Sequence, residues 1–239
     1  MKDLKESIKE LETITDKKEI ETKLQLLGKT LITEYIIRIG DITVEPLWVE
    51  AYYSNKKVEF VDPFIHGNGG KEEQSEFDIL YFHHKTDDTR SGVDLCLSLC
   101  KVEGYKSEKP YYLSYLLKYT LVNGEFTTQS QLSAKIRKAY DSLQDKHIVF
   151  QKKNDGEIVG YTARINLKVN DSDPEKNTKE KYAPLNLAIA KNFDKKYSIE
   201  KKLPKKEALA DSFLSTYNSS KEKWCIEHLG YCPEKYIGQ

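Results

Sequence analysis

Runs of β-branched and aromatic residues in the middle of the chain are the feature that most constrains its fold. Such residues favour extended backbone because their side chains pack well on a pleated surface. Within the 239 residues, five runs of this kind predict strands, at about 30–38, 42–53, 77–84, 92–101 and 110–122. We therefore expect a sheet built mainly from the central part of the chain.

Helical spacing of apolar residues marks both ends of the chain. Residues 1–27 predict two helices, and Gly28 is the expected C-cap of the second. Thr127 or Thr128 is the expected N-cap of a third helix. Two later stretches also indicate helices, at 183–193 and 203–218.

The stretch 147–168 has two strand-like runs around the turn NDG and predicts a β-hairpin added to the sheet. The simplest architecture is α+β, with one mixed domain over residues 1–239 and helices flanking a sheet. Its expected parts are N-terminal helices at 1–27, a sheet with the site at 28–125, and helices, the hairpin and a basic portion at 126–239.

The charges balance overall but not along the chain. There are 38 basic and 38 acidic residues, of which residues 1–100 hold 13 and 20, and residues 101–239 hold 25 and 18. The basic second part suits phosphate contacts, and it equally suits an ordinary solvated surface. No apolar run approaches the roughly 20 residues of a membrane helix. The charged N-terminus and four cysteines predict a cytoplasmic protein with reduced thiols.

Two metal-dependent readings arise from side-chain types alone. The cysteines and a nearby histidine have spacings unlike a structural zinc site, and Cys96 and Cys100 fit buried core thiols better. A magnesium-dependent nuclease is an alternative because carboxylates with a lysine suit phosphodiester cleavage. Its candidate residues are Asp62, Glu76, Asp78 and Lys85.

One carboxylate, Glu50, stands in the otherwise apolar and aromatic run WVEAYY at 48–53. Alternation along a strand puts Glu50 on the same face as Trp48 and Tyr52. That face is either an ordinary solvated one or one that holds a functional carboxylate against a partly apolar wall. The run alone leaves both interpretations open.

Four stretches, in order, resemble the alkyladenine (3-methyladenine) DNA glycosylase family. They are LLGKTLI at 26–32, VEAYY at 49–53, RSGVDLCLSL at 90–99 and LNLAIAKNFD at 185–194. The resemblance implies a single mixed domain with a central antiparallel sheet. It also implies a base-excision-repair enzyme that flips a damaged purine out of double-stranded DNA and hydrolyses its N-glycosidic bond.

The resemblance also implies a role for each matching residue. Glu50 would activate the attacking water, Tyr52 would stack on the flipped base, and His66 would hydrogen-bond it. His83 takes the place of a second stacking aromatic residue. Lys118 is the nearest candidate for the basic group that holds water or phosphate, and Lys191 is expected at the DNA backbone.

This chain departs from the family at two positions of the expected site. Ser91, beside Arg90, stands where the family has a tyrosine that wedges into the DNA. Ser98 replaces a pocket asparagine that helps to select the purine. These changes keep open a second reading, a catalytically inactive protein that binds nucleic acid or a modified base. For the enzyme we expect a monomer without metal or cofactor.

Overall fold

The structure of the chain is a computed structural model. The described residues are 2–60, 62, 77–83, 92–99, 111–153, 159–163, 187–191, 222, 226, 232 and 234–238. The fold is α+β, as predicted, with helices and an antiparallel sheet. Within the described part, no helix is both long enough and apolar enough to cross a membrane.

Nine strands are described, and every pairing between them is antiparallel. The strands are β1 Tyr35–Ile39, β2 Ile42–Asn55, β3 Phe77–His83, β4 Gly92–Leu97, β5 Tyr111–Val122, β6 Glu125–Thr128, β7 Val149–Lys152, β8 Val159–Ala163 and β9 Leu187–Lys191. Their main order is β3-β4-β5-β2-β1-β7. β6 pairs with β5, and β9 joins β2 to β8. The long strands β2 and β5 thus form the centre of the sheet.

Three helices supply apolar side chains to the main core on one face of this sheet. They are α1 Lys2–Thr13, α2 Lys17–Glu34 and α3 Gln129–Asp141. Tyrosine hydroxyls of the sheet form hydrogen bonds with the helices. The Tyr53 hydroxyl donates to the backbone carbonyl of Leu11, and the Tyr115 hydroxyl donates to that of Leu24. Thr128 precedes α3 as predicted, and its backbone N–H donates to the side chain of Gln131.

The predicted end of the second helix at Gly28 is wrong. α2 continues to Glu34, so β1 begins at Tyr35 instead of near residue 30. Gly28 is buried, and Leu31 and Ile32 in the extra turns join the main core. Burial of this apolar face outweighs the low helix propensity of one glycine, which costs about 1 kcal/mol relative to alanine.

Residues 187–191 of the predicted helix at 183–193 form a strand, β9. The run LAIAK pairs with β2 at Trp48, Val49 and Glu50. A short apolar run has no periodicity strong enough to separate helix from strand, and pairing with a distant strand decides between them. The predicted helix at 203–218 lies outside the described residues.

The hairpin predicted at 147–168 is also corrected. Both of its strands form, but β7 pairs with β1 and β8 pairs with β9. Phe150 of β7 makes an edge contact with Tyr35 at a ring-centroid distance of 5.7 Å and a tilted contact with Phe77 at 6.0 Å. Alternation in sequence identifies a strand but leaves its partner undetermined.

Buried phenols make the fold sensitive to alkali. Burial raises the pKa of Tyr53 to about 12. Since unfolding exposes a phenol that ionises near 10, this group stabilises the protein fully below about pH 10 and loses that effect up to about pH 12. The unfolding free energy of the wild type is expected to fall as the pH rises from about 8 to 12. We expect this fall to be roughly 2–3 kcal/mol smaller in Tyr53→Phe, measured by urea unfolding across that pH range. Equal falls in wild type and variant would contradict this.

Candidate active site

The sheet has a second face, opposite the helices, on which polar side chains are buried. Val49, Ala51 and Tyr53 of β2 point into the main core, so the alternate residues Glu50 and Tyr52 point to the other side. Residues paired directly across antiparallel strands share a face. We call this side the Glu50 face, and its described members include Glu50, Tyr52, Ile79, Tyr81, His83, Asp94, Cys96, Ser114 and Leu116.

Glu50 is buried at the centre of this face, with an exposed fraction of 1%. Its Oε1 lies 3.3 Å from Nζ of Lys118, and the Tyr52 hydroxyl donates to its Oε2 at 3.4 Å. The second contact is long, since hydroxyl–oxygen hydrogen bonds are usually about 2.7–2.8 Å. Burial, followed by the charge of Glu50, raises the pKa of Tyr119. The solvated-face interpretation of Glu50 is therefore wrong, because its carboxylate is buried beside Lys118.

Lys118 lies beside an irregularity in the β2–β5 register. Trp48 lies opposite Tyr119 and Val49 lies opposite Leu117, so Lys118 falls between two register positions of β2. Leu117 belongs to the main core, so Lys118, two residues after Leu116, projects to the Glu50 face by regular alternation. Its ammonium there lies beside the Glu50 carboxylate.

A histidine–aspartate pair lies on the same face. His83 Nε2 is 2.9 Å from Asp94 Oδ2, and both side chains are largely buried. Gly92 is the residue directly opposite His83. The ring of His83 also meets Tyr81 edge-on, with centroids 5.1 Å apart.

Sequence reasoning missed Asp94. The signal was present, because Asp94 is a lone carboxylate in the apolar run GVDLCL, as Glu50 is in WVEAYY. His83 was predicted as a stacking ring, and its described partner adds an acid–base capacity to it. The contact between His83 and Asp94 follows from the β3–β4 register, which the two runs did not determine.

Neutral hydroxyls complete the described part of the face. The hydroxyls of Tyr112 and Ser114 are hydrogen-bonded at 2.8 Å. Burial raises the pKa of Tyr112 well above its usual value, and the nearby charge of Asp94 adds to this. Tyr112 thus remains a protonated hydrogen-bonding group through the neutral pH range.

The Ser98 side chain is buried and hydrogen-bonded to the backbone of β5. Its Oγ accepts from the backbone N–H of Leu113 at 3.0 Å and lies 3.5 Å from the Leu113 carbonyl. The buried hydroxyl therefore continues the β4–β5 pairing beyond the end of β4. Lys191 lies in β9, opposite Val159 of β8. His66, Arg90 and Ser91 lie outside the described residues.

Two residues of the alternative nuclease site, Asp62 and Asp78, lie in the described part of the chain. Asp78 is paired with His147, and Asp62 is buried. Glu76 and Lys85 are outside the described residues. Within the described ranges, no group of three or more histidine, cysteine, aspartate and glutamate side chains is arranged to hold a metal. Cys96 is a buried free thiol, as predicted.

Gly92 leaves no room for a side chain next to Leu116 of the Glu50 face. A Cβ at this position would lie 2.8 Å from Leu116 Cδ1 and 3.0 Å from Gln129 Nε2. We expect Gly92→Ala to destabilise the protein by about 1 kcal/mol and to displace Leu116, which lies between Asp94 and Glu50. Urea unfolding checks the first effect and a crystal structure checks the second. An unchanged Leu116 position would contradict this.

Comparisons with protein-family models, with curated proteins and with solved structures find no match.

Proposed function

We propose that this chain is a monofunctional DNA glycosylase, which hydrolyses the N-glycosidic bond of a flipped alkylated purine with Glu50 as the group that activates water. The observation that carries the proposal is the buried carboxylate with an ammonium 3.3 Å away, on the sheet face that the main core does not use. The proposed substrate is double-stranded DNA, and the proposed enzyme acts as a monomer in the cytoplasm.

The reaction needs a carboxylate for two reasons. Cleavage of the bond leaves positive charge on the sugar, which a carboxylate stabilises. Attack by water releases a proton, which the same carboxylate accepts. Lys118 offsets the charge of Glu50 before substrate binds, and it supplies a donor for the water or a phosphate oxygen.

A purely structural pair is the competing explanation of this arrangement. Two buried charges often contribute less stability than apolar side chains of similar volume, so stability alone does not account for their presence. Tyr52 adds an aromatic ring within reach of the carboxylate, as binding of an electron-poor base requires. With Glu50 only 1% exposed, a substrate reaches it only after the groups over this face move.

Product analysis separates the proposed activity from its alternatives. The protein is incubated in EDTA with a duplex that carries one 7-methylpurine, and both free base and strand length are measured. A glycosylase releases base and leaves strands that break only after alkali. Strand cleavage that requires magnesium would instead indicate a nuclease. Binding of the duplex without release of base would indicate the catalytically inactive binding protein.

A further inference from the structure

We propose that the contact between β3 and the start of β7 is a proton-sensitive seam of the sheet. The pair formed by His147 and Asp78 holds the seam closed while His147 is charged, and the seam loosens when His147 is neutral. The seam consists of Phe77 and Asp78 on one side and of His147, Ile148 and Phe150 on the other. The inference concerns how the fold opens and does not depend on the proposed function.

The two end strands of the main sheet order meet at this seam. β3 and β7 lie at opposite ends of the order β3-β4-β5-β2-β1-β7. The backbone N–H of Ile148, just before β7, nevertheless donates to the Asp78 carbonyl at 2.8 Å. The ring centroids of Phe77 and Phe150 are 6.0 Å apart. Because Ile148 and Phe150 belong to the main core, the sheet curls round that core until its end strands touch.

An irregularity in β3 gives Asp78 its place in the seam. The residues on either side of it, Phe77 and Ile79, pair with consecutive residues of β4, so Asp78 is an extra residue in the register. Its φ is +57°, in the left-handed region that aspartate and asparagine tolerate better than most residues. An extra residue interrupts the ladder between two strands. The Asp78 carbonyl is thus available to the N–H of Ile148.

A side-chain pair lies beside this backbone hydrogen bond. Nδ1 of His147 contacts Oδ1 of Asp78, and the two side chains are 45% and 17% exposed. An imidazolium attracts a carboxylate, whereas a neutral imidazole retains only a hydrogen bond to it. The charged ring gains a partner in the closed seam, so the pair stabilises the seam fully at a pH where His147 is protonated. That stabilisation is lost as the pH rises and the ring loses its proton.

Other ionisable groups of the described residues lie around the seam on three elements. They are Asp145 and Lys146 in the turn before β7, Tyr140 and Asp141 in α3, and Lys5 in α1. Asp145 accepts from the backbone N–H of His147 at 3.2 Å, and the Lys146 ammonium donates to a carbonyl of α3. Among these types of side chain, imidazole is the one that ordinarily changes charge between pH 5 and 8. A change in the seam across that range is therefore assigned to His147.

Strand β3 continues from the seam into the Glu50 face. Its members of that face are Ile79, Tyr81 and His83. A second contact holds this part of the strand, since the Leu80 N–H donates to the Tyr140 hydroxyl of α3 at 3.1 Å. Loss of the His147 charge is therefore expected to loosen the first residues of β3 without detaching the whole strand.

Hydrogen exchange of single backbone amides tests the seam. NMR gives the protection factor of an amide, which is its intrinsic exchange rate divided by the observed rate, at pH 5.5 and at pH 8. The Ile148 amide reports opening of the seam. The Lys153 amide, which donates to the Glu34 carbonyl just beyond the other end of β7, is the control. From pH 5.5 to pH 8 we expect a fall of about 4-fold for Ile148, as suits a partly exposed ion pair, and no change for Lys153.

Two variants remove the ion pair, and a third keeps its charge. Asp78→Asn retains a residue type that tolerates positive φ, and His147→Gln retains a hydrogen-bonding group. In both, the protection factor of Ile148 is expected to be low and equal at the two pH values. Each variant decides the question alone if the other does not fold. His147→Lys is still charged at pH 8 and is expected to keep the Ile148 amide as protected there as at pH 5.5.

Three results would overturn the inference. One is a wild-type Ile148 amide whose protection factor is the same at both pH values. Another is an equal fall for Ile148 and Lys153, which would show that the whole protein loses stability. The third is a fall for Ile148 in Asp78→Asn or His147→Gln as large as in wild type. Because no DNA is present, none of these results bears on the proposed function.

Discussion

Glu50→Gln is expected to lower the rate of base release by at least about 100-fold, because the amide neither accepts the proton of water nor stabilises a cationic sugar. Gln preserves the volume of the side chain and its place on β2, so folding and duplex binding are expected to persist. Single-turnover release of base measures the loss, and fluorescence anisotropy with labelled duplex measures binding.

Glu45→Gln provides the matched control for this substitution. Glu45 lies on the same strand and is paired with a lysine, with Oε1 2.7 Å from Nζ of Lys153. Its removal changes the charge of β2 by the same amount but leaves the Glu50–Lys118 pair in place. An equal loss of rate in both variants would show that net charge, and not the position of Glu50, governs the reaction.

Lys118→Met is expected to destabilise the protein by about 3 kcal/mol. The substitution leaves Glu50 buried without its cation, and an uncompensated buried charge is costly. The double variant Glu50→Leu/Lys118→Met removes both charges, and we expect it to regain most of that stability while having no activity. Urea unfolding of the two single variants and the double variant gives the coupling free energy.

The pair formed by Glu45 and Lys153 again serves as the reference. The side chain of Glu45 is 21% exposed, whereas that of Glu50 is 1% exposed. The coupling free energy between Glu45 and Lys153 is therefore expected to be smaller, about 1 kcal/mol. Additive effects of Glu50→Leu and Lys118→Met would contradict the assignment of a strongly coupled buried pair. A double variant with wild-type activity would contradict a catalytic role for either group.

Local sequence patterns predicted those strands in which branched and aromatic residues form one long run. β2 and β5 are long runs of branched and aromatic residues, and their predicted bounds agree with the structure to within two residues. Patterns failed where distant contacts decide the outcome. Gly28 lies inside α2 because the following turn packs into the core, and Leu187–Lys191 is extended because it pairs with β2.

The candidate site was predictable only in part for the same reason. Its place as a lone carboxylate in an apolar run identified Glu50 as a candidate. The resemblance to the glycosylase family pointed to Lys118 and His83. The contact of Lys118 with Glu50 depends on the β2–β5 register, and the contact of His83 with Asp94 depends on the β3–β4 register. Register is set by both strands of a pair, so neither contact can be predicted from the sequence of one strand alone.

The most direct test of the central claim is the release of free base from a duplex containing one 7-methylguanine, measured in EDTA for wild type and Glu50→Gln at equal occupancy of the DNA. Release by wild type, with a rate at least about 100-fold lower for Glu50→Gln, is the predicted result. Binding of the duplex by both proteins without release of base by either would contradict the claim that Glu50 activates water for glycosidic hydrolysis.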